Sequence, residues 1–179
     1  MKKIDDYRVI STKKGDKGTS KNYSNEEFSK SDLLFETLGT MDELTSHLGV
    51  CYHTGKYKEE IRKIQKNIQD INSLIATSDE KVRMDKLRPI TEFDISFLET
   101  LEEAILEKCD ITPSFVLPGS DTTKEGACFD LARAIARRAE RMLIRFKSEH
   151  KRDDLSYVSA YVNRLSDLLF IMARSLENN

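Results

Sequence analysis

Hydrophobic residues recur at every third or fourth position over most of the chain, a spacing that places them on one face of an α-helix. Five stretches show it: residues 32–53, about 57–77, a stretch that begins near Thr91, about 122–148 and about 153–176. The chain shows no sustained alternation of the kind that marks a β-strand. Because amphipathic helices bury their apolar faces against one another, the sequence predicts an all-α, five-helix bundle.

Two segments lack this pattern. Residues 1–31 are polar and rich in hydroxyl groups, and their composition is as compatible with a disordered arm as with an ordered loop. Residues 78–89, SDEKVRMDKLRP, are predicted to form a loop that Pro89 closes. The expected organisation is therefore one domain, residues 1–179, with an irregular arm at 1–31 and a helix bundle at 32–177.

Composition narrows the class of protein. The chain has 179 residues, a net charge of −2, and only 7 glycines and 3 prolines, which suits one helical domain. No global positive charge attracts nucleic acid or a membrane surface. No apolar run has the length of a signal peptide or a membrane span, so we expect a cytoplasmic protein. The three cysteines are widely spaced, and we expect them to be free thiols.

The fourth helical stretch is unusual because DLARAIARRAER, residues 130–141, contains four arginines. A helical wheel places Leu131, Ile135, Ala139, Met142 and Phe146 within about 80° of one another, as the predicted buried face. Arg133, Arg137 and Glu140 fall on the opposite side. This face is either a solvated surface with ion pairs along the helix, or a site that binds phosphate or carboxylate groups through the planar guanidinium.

The sequence offers little for other chemistries. His47, His53 and His150 are isolated from one another, and no residue set suggests a Ser–His–Asp or Cys–His nucleophile. No spacing of ligands typical of a protein-bound metal is present either.

Five segments together resemble one family, the PduO-type ATP:cob(I)alamin (corrinoid) adenosyltransferases. They are TKKGDKGTS (12–20), GTMDELTSHLG (39–49), FVLPG (115–119), ARAIARRAER (132–141) and YVNRLSDLLFIMAR (161–174). Each segment alone is a weak signal, but five in the family's order over nearly the whole chain are specific. Residues 121–130, DTTKEGACFD, depart from the family pattern, which more often has small residues and a histidine there.

The resemblance implies a bundle that assembles as a homotrimer, with sites between adjacent subunits. It implies transfer of the 5′-deoxyadenosyl group of ATP to the cobalt of cob(I)alamin, which gives adenosylcobalamin and triphosphate. Mg-ATP and reduced cobalamin would be the ligands, with Mg²⁺ carried by ATP rather than by protein side chains. A reductase and an adenosylcobalamin-dependent enzyme would be the protein partners.

The resemblance also implies roles for particular residues. Those implied to bind ATP are Thr12, Lys13, Lys14, Gly15, Ser20, Lys21, Lys30, Arg133, Arg137, Glu140 and Asn163. The catalytic set would comprise Arg137, Arg133, Asp42 and Phe115. Asp42 would pair with Arg133 across the subunit boundary, and Phe115 would lie under the corrin and exclude its lower ligand.

Two alternatives to this enzyme remain open on the sequence. One is a non-catalytic or weakly catalytic bundle that binds ATP or corrinoid and stores or delivers the finished cofactor. The other is a bundle whose only role is the contact between its own subunits. Adenosylation of reduced cobalamin separates the first from the enzyme, and ATP titration separates the second.

Overall fold

The computed structural model describes residues 5–111 and 115–177, and these residues are mostly helical. The six described helices are α1 (Leu33–Tyr52), α2 (Lys58–Ala76), α3 (Glu80–Lys86), α4 (Glu92–Leu106), α5 (Lys124–His150) and α6 (Ser156–Ser175). Two 3₁₀ turns, Tyr7–Val9 and Asp153–Leu155, and a pair of antiparallel strands, β1 (Thr19–Lys21) and β2 (Glu27–Ser29), complete the elements. None of the described helices is long and apolar enough to cross a membrane.

The prediction of a mainly helical fold is confirmed, and its five helices correspond to α1, α2, α4, α5 and α6. The predicted number of helices and the predicted loop at 78–89 were wrong, because the described residues include a sixth helix, α3. Asp79 caps this helix: its side chain accepts from the Val82 amide at 3.0 Å. This helix has only seven residues and none is buried, so it carries no apolar stripe. The strands have three residues each, too few to show alternation. Residues 1–4, 112–114 and 178–179, which the predicted arm and domain included, lie outside the described part.

The bundle is built around α5 and α6, which pack against each other. Helix α1 packs on α5 and also on α2, while α4 packs on α6. The predicted stripe of α1 faces the core: Met41, Leu44, Leu48 and Cys51 are fully buried. Asp32 caps this helix as expected, since its side chain accepts from the Leu34 amide at 2.8 Å.

The buried face of α5 is broader than its predicted stripe and is shifted around the helix. Leu131 is 49% exposed, whereas Phe129, Ala132, Ala136 and Leu143 are fully buried. The reason is that α5 contacts two helices, α1 and α6, and the alanines allow both to approach closely.

The arm is ordered in the described residues and docks at one end of the bundle. The Tyr23 amide donates to the Ala76 carbonyl at 2.9 Å, at the end of α2. The ring of Phe28 lies 6.3 Å from the ring of His150, the last residue of α5. The hairpin is therefore held near the C-terminal ends of both α2 and α5.

All three cysteines are free, as expected. Burial raises the pKa of the Cys51 thiol to about 12, so this thiol stays protonated in the core.

Candidate functional site

The arm forms a polar hollow of about 390 Å³ that gathers most of the predicted arm residues. Its lining residues are Thr12, Lys14, Gly15, Thr19, Ser20, Lys21 and Glu27. Two lysines and several hydroxyl groups against a single carboxylate favour an anionic, hydrogen-bonding ligand. Lys13 is not part of this lining; it occupies the left-handed region with φ 56°.

Lys30 crosses directly over Gly15 at the edge of this hollow. A Cβ atom at Gly15 would lie 2.6 Å from Nζ of Lys30, so the ammonium can occupy this position because residue 15 has no side chain. The Lys30 amide also donates to the Gly18 carbonyl at 2.9 Å, which ties β2 to the preceding turn. The glycine turn thus positions a third lysine beside the hollow.

A second cleft, of about 360 Å³, lies between α5 and α6 and the end of α4. It is lined by Leu106, Ile111, Arg133, Arg137, Ser166, Asp167, Phe170 and Ile171. Arg137 is exposed and Arg133 is partly exposed, and both stand one turn apart on a rigid helix. The cleft therefore combines an apolar wall with two guanidinium groups, an arrangement suited to a ligand with an apolar body and an anionic part.

Glu140 and Asn163 lie further along the same two helices. The Asn163 side-chain amide donates to Oε1 of Glu140 at 2.9 Å, and its oxygen accepts from Nη1 of Arg164 at 2.9 Å. Arg164 in turn donates from Nε to Oε1 of Glu99 at 3.0 Å, so one network joins α4, α5 and α6.

Asp42 lies elsewhere on the chain. It lines two open hollows between α1 and α2, together with Gln69 and Asn72, and does not line the cleft that contains Arg133. The described part of the chain therefore does not place Asp42 in the same hollow as Arg133.

Phe115 is fully exposed at the start of the turn that the motif FVLPG predicted. The Gly119 amide donates to Oγ1 of Thr122 at 2.8 Å, and Gly119 takes φ 92°, a left-handed conformation that favours glycine. Leu117 is also exposed, and its amide donates to Oδ2 of Asp121 at 3.0 Å. The turn thus presents two apolar side chains to solvent, as binding surfaces often do.

Several residues at the arginine cleft were not singled out from the sequence. Ser166, Asp167 and Phe170 follow Asn163 at helical spacing, which could have marked them as neighbours on one face. Asp130 was also missed: its Oδ1 lies 4.0 Å from Nε of Arg133, three positions along α5.

Two carboxyl groups, those of Glu102 and Asp167, interact near the arginine cleft. Burial, followed by the negative charge of Asp167, raises the pKa of Glu102 to about 7. Oε1 of Glu102 is buried and has no hydrogen-bond partner among the described residues. In residues 5–111 and 115–177, no three His, Cys, Asp or Glu side chains are grouped so that they could hold a metal ion.

Comparison with known proteins agrees with this arrangement. The sequence model of the cobalamin adenosyltransferase family matches residues 10–176. The chain is 36% identical over 172 residues to a corrinoid adenosyltransferase of Citrobacter freundii, covering 94% of each chain. It is 35% identical over 173 residues to the corrinoid adenosyltransferase MMAB of Bos taurus, covering 92% of this chain and 70% of that protein.

A solved structure has the same fold. It is a variant of the PduO-type ATP:corrinoid adenosyltransferase from Lactobacillus reuteri, in complex with cobalamin and ATP. The TM-score is 0.82 at 28% identity, over 93% of this chain and 92% of that one. The chain therefore belongs to the cobalamin adenosyltransferase family, which confirms the resemblance carried by its five motifs.

Proposed function

We propose that this protein transfers the 5′-deoxyadenosyl group of ATP to the cobalt of a reduced corrinoid, releasing triphosphate. The observation that carries this proposal is the pairing of Arg133 and Arg137 in one cleft, in a chain whose relatives are corrinoid adenosyltransferases. The reduced corrinoid supplies the nucleophile, because Co(I) carries the electron pair that displaces triphosphate from C5′ of ATP. The protein needs no nucleophile or general base of its own.

The work left to the side chains is to orient ATP and to neutralise the departing triphosphate. Arg137 and Arg133 suit this role because a guanidinium donates two parallel hydrogen bonds to phosphate oxygens. Both are carried by α5, whose buried face fixes their positions before the ligand arrives. Asn163 and Glu140 complete the nucleotide site, with the carboxylate already oriented by its 2.9 Å hydrogen bond.

The arm supplies the other half of the nucleotide site. Lys14, Lys21 and Lys30 would bind phosphate oxygens, while Thr12, Lys13, Gly15 and Ser20 would wrap the nucleotide. Mg²⁺ would arrive with ATP, which is consistent with an arm that offers lysines and hydroxyl groups.

The separation of the two halves favours a site between subunits. Phe28 of the arm contacts His150 at the end of α5, and at about 1.5 Å per residue Arg137 lies about 20 Å back along that helix. This separation along α5 favours a site in which the arm of one chain and the cleft of another contact the same ATP. We propose a homotrimer in which Asp42 of one subunit pairs with Arg133 of the next.

Phe115 is proposed to lie against the lower face of the corrin. An exposed phenyl ring can occupy the position of the lower axial ligand, and a four-coordinate cobalt is easier to reduce. We further propose that the chain acts as a single helical domain in the cytoplasm, supplied by a reductase and serving an adenosylcobalamin-dependent enzyme.

The deciding experiment is adenosylation of chemically reduced cobalamin with Mg-ATP, followed by the spectrum of the Co–C product. We expect turnover by the natural protein and a fall of about 100-fold in kcat/KM for Arg137→Ala, since a donor to the leaving group is lost. Its control is Arg145→Ala, an exposed arginine on α5 outside the cleft, which should keep full activity. Circular dichroism should show both variants folded.

The alternatives give different results in the same experiment. A storage or delivery protein would bind ATP or corrinoid in a titration but form no Co–C product. A bundle with a purely structural role would bind neither. Equal activity of Arg137→Ala and the natural protein would remove Arg137 from the site.

A further inference from the structure

A buried ion pair lies directly beneath the arginine cleft. Asp130 of α5 pairs through Oδ2 with Nη2 of Arg174 on α6, and both side chains are only 6% exposed. Their neighbours Phe129 and Ala173 are fully buried and apolar. Removing two charges from water costs free energy that an apolar pair of similar volume would avoid, so this pair is a poor device for stability alone.

The other carboxylate oxygen of Asp130, Oδ1, lies near Arg133, which lines the cleft. Oδ1 lies 4.0 Å from Nε of Arg133, within ion-pair range but too far for a hydrogen bond. Nε of Arg133 is buried and has no hydrogen-bond partner in the part of the chain that the structure describes. The guanidinium of Arg133 therefore has an inner edge beside Asp130, while the residue also lines the cleft.

Arg174 is itself fixed by further contacts. Its Nη2 lies 3.0 Å from Oε1 of Glu177, and its guanidinium carbon lies 5.4 Å from the centre of the Phe170 ring, which lines the cleft. The charges alternate in sign from Glu177 through Arg174 and Asp130 to Arg133. This chain of ion pairs connects the C-terminal end of α6 to the cleft.

We propose that Asp130 is a positioning residue: held by Arg174, it anchors the inner edge of Arg133 so that the outer edge faces the subunit boundary, where the triphosphate and the Asp42 of the next subunit are proposed to lie. The proposal rests on the adenosyl transfer proposed above. Asp130 does not itself touch the ligand. Without it, Arg133 would keep its charge but lose its orientation, and a mis-aimed donor stabilises the departing charge less well.

The test is a double-mutant cycle in the adenosylation assay. Asp130→Asn keeps the side-chain volume and should lower kcat about 10-fold, with less than about a 3-fold change in KM for ATP. In an Arg133→Ala background the same substitution should change kcat by less than about 2-fold, because its effect passes through Arg133. A purely structural role predicts equal losses in the two backgrounds, and that result would overturn the proposal.

Asp130→Asn removes one of the two carboxylates that pair with Arg174, so it also lowers the stability of the fold. The double variant Asp130→Leu with Arg174→Met removes both charges and should fold, yet it should show the same loss of kcat; full activity would contradict the proposal. The natural protein's turnover tests the proposed function separately. If the natural protein is inactive, the same double-mutant cycle is run on the binding of inorganic triphosphate, measured by calorimetry. An affinity that Asp130→Asn weakens only when Arg133 is present supports the inference. Equal weakening of the affinity in both backgrounds overturns it.

Discussion

Asn163 of α6 donates from its side-chain amide to Oε1 of Glu140 on α5 at 2.9 Å, and its own oxygen accepts from Nη1 of Arg164. The amide is therefore used at both ends and cannot rotate without breaking a contact. Both Asn163 and Glu140 are half-buried. The orientation of the Glu140 carboxylate thus depends on Asn163.

Replacing Asn163 by alanine should weaken ATP binding as well as the fold. Loss of one hydrogen bond should lower the free energy of unfolding by about 1 kcal/mol, measured by urea denaturation. The released Glu140 should raise the Kd for ATP several-fold in a calorimetric titration. The control is Asn67→Ala, which removes a buried amide bonded to the Tyr161 hydroxyl at 3.3 Å, outside the proposed site. Asn67→Ala should destabilise the fold but leave the affinity for ATP unchanged. If Asn67→Ala lowers the affinity for ATP as much as Asn163→Ala does, Asn163 acts only through the stability of the fold.

Gly15 is expected to affect ATP binding because its missing side chain leaves room for Lys30, and not because of its backbone conformation. Its φ is not in the left-handed region, so alanine can adopt the conformation, but the new Cβ would meet Nζ of Lys30 at 2.6 Å. Gly15→Ala should leave the free energy of unfolding within about 0.5 kcal/mol while raising the Kd for ATP about 3- to 10-fold.

A comparison with Lys30 isolates the cause. Lys30→Ala should weaken ATP binding at least as much as Gly15→Ala, and the two substitutions together should cause no further loss. Gly49→Ala on α1, where a Cβ would make an ordinary 3.7 Å contact with Gln65, should leave ATP affinity unchanged. Additive losses at Gly15 and Lys30 would show that the glycine acts independently of the lysine.

The elements that sequence periodicity predicted well are those with a single dominant buried stripe. The isoleucines of α2, Ile61, Ile64, Ile68, Ile71 and Ile75, are all buried as their spacing indicates. Leu131 of α5 was predicted to be buried but is exposed. This helix contacts both α1 and α6, and a pattern with a single apolar face cannot represent two contact surfaces. Helix α3 depends on the Asp79 cap and not on an apolar face, so periodicity could not reveal it.

The same limit applies to the candidate site. Arg133 and Arg137 could be singled out because their one-turn spacing lies within one helix. Asp130 was missed because its partner, Arg174, is 44 residues away, and only the packing of α6 on α5 brings the two together. The proposal of a site between two chains rests on the position of the arm near the end of α5, which long-range contacts such as that of Phe28 with His150 set and which no local pattern predicts.

Phe115 should contribute to corrinoid binding and not to stability. It is fully exposed, so Phe115→Ala should change the free energy of unfolding by less than about 0.5 kcal/mol. We expect it to abolish or strongly reduce the four-coordinate cob(II)alamin signal formed with Mg-ATP, because the lower axial ligand is no longer excluded. Phe93, which is 88% exposed on α4, supplies the matched control, and Phe93→Ala should keep that signal. An unchanged spectrum for Phe115→Ala would place the corrin elsewhere.

Glu102 should make the stability of the fold depend on pH. Burial, then the charge of Asp167, raises its pKa from 4.5 to about 7, with Arg164 opposing the shift and Glu99 adding to it. A raised folded-state pKa favours the protonated carboxyl, so its stabilisation is fully present below pH 4.5 and is lost as the pH rises through about 7. Glu102→Gln, which resembles the protonated form, should therefore exceed the natural protein's free energy of unfolding at pH 8 by about 1–2 kcal/mol, after allowance for partial exposure.

The measurement is urea denaturation of both proteins from pH 4 to pH 8. The difference should be small at the acid end and grow through the interval between 4.5 and 7. Glu103→Gln removes an exposed neighbouring carboxylate on the same helix and should leave the pH profile of the natural protein intact. A constant difference between Glu102→Gln and the natural protein across this range would mean that the pKa of Glu102 is the same in the folded and unfolded states, with Arg164 offsetting burial and the charge of Asp167.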